Sequence, residues 1–330
     1  MFNGDVVREL AAQFLALAEK QRATAPLMTG HCLMGVSLLY TGDIAQGRAH
    51  LDRAIALIDP AEHRPLPKRG FGFDNRVVMF SHRSHALWLL GYPEAALADS
   101  DQAVKNARKT AQAASLMDAL FRASLTHVLC GNYAAADLQA NELIALADEK
   151  RVLFWRAAGM MLYGGVLALN DEASDAVNMI TSGLTAWRAT GSTIAVPSHL
   201  SYLATAYAKL GQFDDAWRCI GEAMTTIETT NERWFEAYTR YIAGEIALMS
   251  PEPDTAKAET YFNRALDIAR KQQAKSWELR AAMSMARLWR DQGKREEARD
   301  LLAPVYGWFT EGFDTLDLKE AKELLDELAS

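Results

Sequence analysis

The chain has 330 residues, is half hydrophobic and carries a formal net charge of −7, with lysines and arginines scattered rather than clustered, so we expect no nucleic-acid binding. No stretch approaches the roughly 18 apolar residues of a membrane span, the first residues lack a signal-peptide pattern, and three widely spaced cysteines indicate reduced thiols. We therefore expect a cytoplasmic protein without membrane association. Abundant alanine and leucine, with few glycines and prolines, favour helices.

Taken in chain order, the apolar periodicity predicts a helix near residues 4–22 and then a series of helix hairpins. The first helix of each hairpin is predicted near 28–41, 77–90, 117–130, 157–169, 197–210, 237–249 and 277–292. An irregular stretch rich in proline and glycine, Pro60 to Asn75, separates the first two hairpins. A final helix is predicted near 315–329.

A recurring turn marks the end of most first helices. A glycine or similar residue stands at Gly42, Gly91, Gly131, Asp171, Gly211 and Gly293. A small residue follows about five positions later, such as Ala136 or Ala216. Glycine readily adopts the left-handed conformation that ends a helix, and the small residue lets the second helix approach the first. Repetition at intervals near 40 residues therefore predicts an all-α solenoid of stacked hairpins.

One unit resembles the repeat of the tetratricopeptide family closely. It reads Leu203-Ala204-x-x-Tyr207, Gly211-Gln212-Phe213-x-x-Ala216, Ile220-x-x-Ala223. The resemblance implies a single domain, residues 1–330, built as a right-handed superhelical solenoid of about seven hairpins in 28–312. Residues 1–27 and 313–330 would supply N- and C-terminal capping helices. It also implies a concave groove, formed by the first helices, that binds a protein or peptide.

Four longer phrases point to a narrower group of proteins. They are Leu87–Ala96, Glu232–Ala237, Arg270–Arg280 and Leu301–Thr315. Together they resemble the C-terminal repeat region of bacterial multidomain signalling proteins that carry a class III adenylate/guanylate cyclase or a DNA-binding domain, followed by an AAA-type ATPase module. The resemblance implies a signalling context in which a cyclase or ATPase domain is the partner. The chain itself lacks a phosphate loop and the strands of a cyclase, so we expect no enzymatic activity and no cofactor.

Groove positions of the tetratricopeptide family, transferred one at a time, select the partner-binding candidates. They are Ser81, His85, Trp88, Phe121, Arg122, Ser201, Tyr202, Tyr238, Tyr241, Glu245, Arg280, Arg287 and Arg290. The last three arginines suit acidic side chains of a partner, because guanidinium groups form two-pronged contacts with carboxylates. The alternative is a solvated helix face, on which these arginines form local pairs with Asp291, Glu296 or Glu297.

Histidines and tryptophans leave further alternatives open. His82 and His85 share a helix face, where they either line the groove or simply pack. A metal site would need a third ligand that the spacing does not supply, so we expect no metal. Tryptophans recur near helix ends, where such residues usually wedge neighbouring repeats apart or, less often, form a ligand cage. They are Trp155, Trp187, Trp217, Trp234, Trp277 and Trp308.

Residues 60–76 form the one long irregular segment and contain Arg69, Phe71, Phe73 and Arg76. We interpret the segment as a loop folded over the groove edge, with nucleotide contact as a weaker alternative. The predicted function is a non-catalytic interaction and regulatory module that holds a peptide or partner domain in its groove. The alternative is a receptor for a small ligand or signalling peptide, with residues 60–76 as a lid.

Overall fold

The computed structural model describes residues 2–21, 23–58 and 73–329, and every regular element in these ranges is an α-helix. In chain order the helices are α1 (Gly4–Gln21), α2 (Thr24–Tyr40), α3 (Ile44–Ala56), α4 (Asn75–Leu89), α5 (Pro93–Thr110), α6 (Ala113–Leu129), α7 (Tyr133–Glu149), α8 (Leu153–Leu169), α9 (Ala173–Ala189), α10 (Val196–Lys209), α11 (Phe213–Thr230), α12 (Glu236–Met249), α13 (Thr255–Gln272), α14 (Lys275–Asp291), α15 (Arg295–Tyr306) and α16 (Leu316–Ala329). The prediction of an all-helical solenoid is confirmed. The predicted first helices correspond to the even-numbered helices from α2 to α14.

Each hairpin turn follows from the backbone freedom of its central residue. At the end of α4, Gly91 has φ +90°, and the amide of Tyr92 donates to the carbonyl of Leu87 at 2.9 Å. This left-handed turn satisfies carbonyl groups that the helix end leaves without partners. Asp171 fills the same place after α8 with φ +63°, a conformation that aspartate tolerates better than most residues. The glycine pattern in the sequence therefore reports the turns directly.

Close packing within hairpins explains the small residues in the repeat. Ala136 and Ala216 are completely buried, each in the first turn of a second helix. The Ser124 hydroxyl of α6 donates to the backbone carbonyl of Ala136 in α7 at 2.9 Å, a contact that a larger side chain would obstruct. Consecutive helices contact each other from α1 through α16. The first helices α2, α4, α6, α8, α10, α12 and α14 also contact one another in sequence, so they form the inner side of the solenoid.

The solenoid closes on itself along its inner side. Helix α4 contacts α14, five hairpins later in the chain. The rings of Trp88 and Trp277 meet edge to face with centroids 4.5 Å apart, and the Ser276 hydroxyl donates to the carbonyl of Trp88. Tyr40 meets Trp234 in the same manner, with centroids 5.2 Å apart. The inner side is therefore filled by aromatic side chains. The right-handed sense of the superhelix and the division into 1–27, 28–312 and 313–330 stay predictions.

A regular register governs this closure. The turn after α2 lies on the junction of α11 and α12, where the Arg233 amide donates to the Tyr40 carbonyl at 2.8 Å. The turn after α4 lies on the α13–α14 junction, and the turn after α6 lies at the start of α16, where a Cβ on Gly131 would lie 2.8 Å from Leu316 Cβ. Arg280 of α14 reaches the end of α6, since its Nη2 donates to the Leu129 carbonyl at 2.8 Å. We call these three contacts the inter-turn contacts. They join segments that lie one superhelical turn apart.

A fourth inter-turn contact ties α5 to the segment before α16. The Glu311 carboxylate accepts from the Ala95 amide in the first turn of α5 at 2.9 Å, and the Glu94 carboxylate accepts from the Gly312 amide at 2.7 Å. Each acidic side chain thus satisfies a backbone N–H group of the other segment. Trp277 packs on Phe235 and Tyr238 of the preceding hairpin, as expected of a wedge between neighbouring repeats. Trp234 and Trp277 also bridge segments that are far apart in sequence.

Candidate functional site

Most of the predicted groove residues are buried by the closure. His85 is 0 % exposed, and Trp88, Tyr202 and Tyr238 are 2 % exposed. Ser81, Phe121 and Ser201 are buried as well, whereas Arg122, Tyr241, Glu245, Arg280, Arg287 and Arg290 are partly buried. The buried side chains do not form an open surface in this structure. Their role in partner binding stays a prediction.

His85 packs inside the aromatic core rather than lining a groove. Its ring stacks on Trp234 with centroids 5.5 Å apart, and Nε2 lies 3.1 Å from the carbonyl of Arg122. That carbonyl can only accept, so Nε2 carries the proton of a neutral imidazole. Burial lowers the pKa of His85 to about 3, which keeps the ring uncharged at neutral pH. This geometry corresponds to the packing alternative for the histidine.

The three predicted arginines face the chain's own C-terminal helix. Arg280 Nε donates to both oxygens of Asp317, at 3.1 and 2.9 Å. Arg287 pairs with Glu320, and Arg290 pairs with Glu327 and with Asp291. Of the local partners considered for these arginines, Asp291 is used, but most of the pairing acids lie on α16. Burial raises the pKa of Asp317, although the Arg280 charge opposes that shift.

A tyrosine cluster adjoins Arg280 on the inner side. The ring centroids of Tyr202 and Tyr238 lie 5.6 Å apart, and those of Tyr238 and Tyr241 lie 5.8 Å apart. Burial raises the pKa of all three hydroxyl groups, which therefore remain protonated. The Ser201 hydroxyl lies 2.9 Å from the Thr239 hydroxyl in the same region. This cluster stabilises contacts between first helices.

A cavity of about 610 Å³ lies between the N-terminal halves of α6 and α8. We call it the α6–α8 pocket. Its lining residues are Phe73, Ala114, Asp118, Arg122, Phe154, Trp155, Thr190, Gly191 and Ser192. Ala114, Asp118 and Arg122 follow each other at intervals of four along one face of α6, which aligns them toward the cavity. The aromatic walls come from the first turn of α8 and from the residue that precedes Asp74, the N-cap of α4.

Ring contacts hold the aromatic walls of this pocket in place. The Phe154 ring stacks on Trp187 with centroids 4.3 Å apart, and Trp155 meets Phe73 edge to face at 6.2 Å. On the opposite side, Thr190–Ser192 form the turn between α9 and α10. Gly191 there has φ +80°, and no atom lies within 4 Å of where its Cβ would be. The pocket therefore combines fixed aromatic walls with an open edge.

An ion pair forms the polar end of the pocket. Arg122 Nε donates to Asp118 Oδ1 at 3.0 Å, and Arg122 Nη1 donates to the Tyr40 hydroxyl at 3.0 Å. The side chains are 14 % and 5 % exposed respectively. Because the pair is screened little by solvent, the contact between the two side chains is strong. Of the predicted groove residues, Arg122 is the one that lines this pocket.

Sequence reasoning found this site only in part. Of the predicted lid residues, Arg69 and Phe71 lie outside the described residues. Phe73 lines the pocket, and Arg76 lies in the first turn of α4, where its amide donates to Asp74. Asp118 and Phe154 were missed as site residues, and Trp155 was named only through the ligand-cage alternative for the tryptophans. The spacing of Asp118 and Arg122 and the tryptophan at a helix start were the available signals.

Other classes of site find no support in the part of the chain that the structure describes. No group of three or more histidine, cysteine or acidic side chains is arranged to hold a metal ion there. Within the same ranges, no helix combines the length and apolarity that crossing a membrane requires. The three cysteines are buried and no disulfide joins them.

Comparison with known proteins agrees with this architecture. The tetratricopeptide repeat family model matches residues 279–304, in α14 and α15. The sequence has no match among curated proteins. A Rap protein complexed with competence and sporulation factor is similar in structure, with a TM-score of 0.63 and 12 % identity over 94 % of this chain and 79 % of that chain. The apo form of RapI has a TM-score of 0.56 and 11 % identity over 91 % of this chain and 99 % of that chain. The apo form of the quorum sensor NprR from B. thuringiensis has a TM-score of 0.52 and 11 % identity over 92 % of this chain and 88 % of that chain. At these identities the likeness establishes the fold.

Proposed function

We propose that this chain is a non-catalytic interaction and regulatory module that binds a segment of a partner protein, and that the α6–α8 pocket receives an anchoring side chain of that segment. One observation carries the proposal. The inner side is filled by its own aromatic residues, whereas this pocket offers Phe73, Phe154 and Trp155 as walls of a cavity of about 610 Å³. Sites that bind ligands are typically apolar clefts of this size with a few placed polar groups.

The fold supports the class of function. Solenoids of helix hairpins present extended surfaces and bind proteins or peptides. One similar structure is a Rap protein in complex with competence and sporulation factor, and another is the quorum sensor NprR. Sequence resemblance adds a finer proposal, in which the protein is bacterial and cytoplasmic and its partner is a cyclase or AAA-type ATPase domain in signal transduction. The segments Arg270–Arg280 and Leu301–Thr315 carry that resemblance.

A second candidate is a receptor for a free signalling peptide or small ligand. The observation that favours it is the recessed shape of the pocket, with its ion pair largely screened from solvent. The proposed lid of residues 60–76 adjoins this pocket through Phe73. The two candidates differ in whether the ligand belongs to a larger protein.

A display library of protein fragments from the source organism tests the proposal. We expect selected fragments to bind the wild-type chain and to lose at least about tenfold in affinity on Ala114→Phe, because the larger side chain fills the pocket. Leu153→Ala is the matched control, since Leu153 lies beside Phe154 but is 74 % exposed and outside the pocket. Fragments from cyclase or ATPase domains would support the finer proposal. Selected fragments that bind the Ala114→Phe chain as tightly as wild type would contradict the pocket assignment.

A further inference from the structure

We infer that the α6–α8 pocket takes an apolar side chain next to a neutral amide group, and that it discriminates against ligands with a free carboxylate or ammonium group at that place. The inference rests on the proposed function and names the chemistry of the segment that the pocket binds. It follows from the hydrogen-bonding capacity of Asp118 and Arg122.

The ion pair uses only part of that capacity. Arg122 Nε donates to Asp118, and Arg122 Nη1 donates to Tyr40. Among the described residues, no group accepts from Arg122 Nη2, and none donates to Asp118 Oδ2. A guanidinium has five N–H donors and a carboxylate has two acceptor oxygens. Arg122 Nη2 and Asp118 Oδ2 therefore remain available among the described residues, and both belong to side chains that line the pocket.

An amide is the complement of this arrangement. Its carbonyl accepts from a guanidinium nitrogen while its N–H donates to a carboxylate oxygen. Peptide groups and the carboxamide side chains of asparagine and glutamine share this chemistry. Hydrogen bonds to charged groups contribute more than those between neutral groups.

Charge selects against the alternatives. A ligand carboxylate would be attracted by Arg122 and repelled by Asp118. Both effects act on the same ligand, because both side chains line one cavity. A ligand ammonium group would be attracted by Asp118 and repelled by Arg122. Burying either charge next to a pair that is already neutral adds a desolvation cost without a net attraction. The aromatic walls supply the apolar contact, since Phe73, Phe154 and Trp155 surround the remaining space.

Three small phenylalanine derivatives, which share one side chain and differ in charge, test the inference. N-acetylphenylalaninamide is neutral at both ends, N-acetylphenylalanine carries a carboxylate, and phenylalaninamide carries an ammonium group. Binding is followed by the indole N–H signal of Trp155 in ¹H–¹⁵N NMR spectra of the full chain, assigned with Trp155→Phe. We expect the neutral probe to bind at least about tenfold more tightly than either charged probe. Ala114→Phe should abolish binding of all three.

Asp118→Asn supplies a second, independent readout. Removal of the negative charge leaves Arg122 to act alone, so the preference should move toward the carboxylate probe. Circular dichroism reports whether this variant folds. If it does not, the ranking of the three probes by affinity for the wild-type chain and the loss of binding in Ala114→Phe still test the inference. Tighter binding of the ammonium probe would show a cation site governed by Asp118, and tighter binding of the carboxylate probe would show an anion site governed by Arg122. Either result, equal binding of all three, or no binding up to the solubility limit overturns the inference.

The outcomes separate this inference from the proposed function. If fragments selected by display still depend on Ala114 but the neutral probe is not preferred, the pocket binds a partner through other chemistry. If no fragment depends on Ala114, the proposed function fails whatever the probes show.

Discussion

The indole rings of Trp88 and Trp277 meet edge to face, with centroids 4.5 Å apart, although they belong to helices α4 and α14. Both side chains are almost fully buried, at 2 % and 1 % exposed. Edge-to-face aromatic pairs add roughly 0.5–1.5 kcal/mol to the contribution of the buried area. The pair therefore links two parts of the solenoid that no neighbour-to-neighbour packing would join.

Trp277→Ala should open the solenoid. Truncation of a buried tryptophan costs about 3–5 kcal/mol, and here the lost contacts include those that hold α14 against α4. We expect small-angle X-ray scattering to show a larger radius of gyration. Phe262→Ala is the control, because Phe262 is completely buried yet packs against Gly244 within its own hairpin. Identical scattering from the two variants would argue against the inter-turn contacts.

Two glycines with the same backbone conformation isolate another inter-turn contact. Gly312 has φ +75° and Gly211 has φ +74°, so alanine at either position adopts a strained left-handed conformation at about 1–2 kcal/mol. A Cβ at Gly312 would lie 2.1 Å from Pro93 Cγ, whereas nothing lies within 4 Å at Gly211. We expect Gly312→Ala to lower the free energy of unfolding by about 1–3 kcal/mol more than Gly211→Ala, as measured with urea. Equal losses would mean that α5 does not contact the segment before α16.

Glu232 should make stability depend on pH. It is 1 % exposed and accepts from Trp234 Nε1 and from the Ala195 amide, each at 3.0 Å, and burial raises its pKa to about 7. Between its ordinary value and about pH 7 the folded chain holds a proton that the unfolded chain releases. This contribution to stability therefore falls as pH rises through that window and stays low above it.

Glu232→Gln keeps an acceptor oxygen but cannot ionise. We expect it to raise the melting temperature at pH 8 and to have little effect near pH 5, with a change of roughly 1–3 kcal/mol in the free energy of unfolding between the two conditions relative to wild type. Thermal unfolding monitored by circular dichroism at a series of pH values measures this. A variant that lowers stability equally at both pH values would show that the carboxylate is needed in its ionised form.

The ion pairs of the α14 arginines should contribute differently to the free energy of unfolding, according to how deeply each pair is buried. Arg280 and Asp317 have side chains 14 % and 19 % exposed, whereas Arg290 and Glu327 are 32 % and 59 % exposed. Asp317→Asn leaves a buried guanidinium without its counter-charge, so we expect a loss of about 3 kcal/mol or more in urea unfolding. Glu327→Gln should cost below about 1 kcal/mol. Comparable losses would mean that α16 is held by charge along its whole length.

The local architecture was readable from sequence because helices and turns depend on residues close together in the chain. Gly91 and Gly131 end helices where the pattern placed them, and Ala136 and Ala216 lie at close helix contacts. The last helix was predicted at 315–329 and is Leu316–Ala329. The helices α2, α6 and α8 begin at Thr24, Ala113 and Leu153, each four residues before the predicted start.

The inter-turn contacts were not readable, because periodicity describes each repeat and its neighbour but not the pitch of the superhelix. Trp234 was interpreted as a wedge between adjacent repeats, yet its ring packs on Tyr40 and His85. The candidate pocket depends on how neighbouring hairpins pack, which the repeat pattern also leaves open. Arg122 of α6 reaches the Tyr40 hydroxyl of α2, two hairpins earlier, and its role as the polar end of a pocket could not be seen from α6 alone.

The register of the inter-turn contacts limits how such a chain can evolve. In an ordinary solenoid a hairpin can be duplicated or deleted, since each unit meets only its neighbours. Here an inserted hairpin between α6 and α11 would shift every later junction by one unit, so that Arg233 would no longer reach the Tyr40 carbonyl and Gly312 would lose Glu94. We therefore expect natural relatives that keep this closure to vary at their ends or in the loops between helices, and to conserve the spacing from the first hairpin to the last.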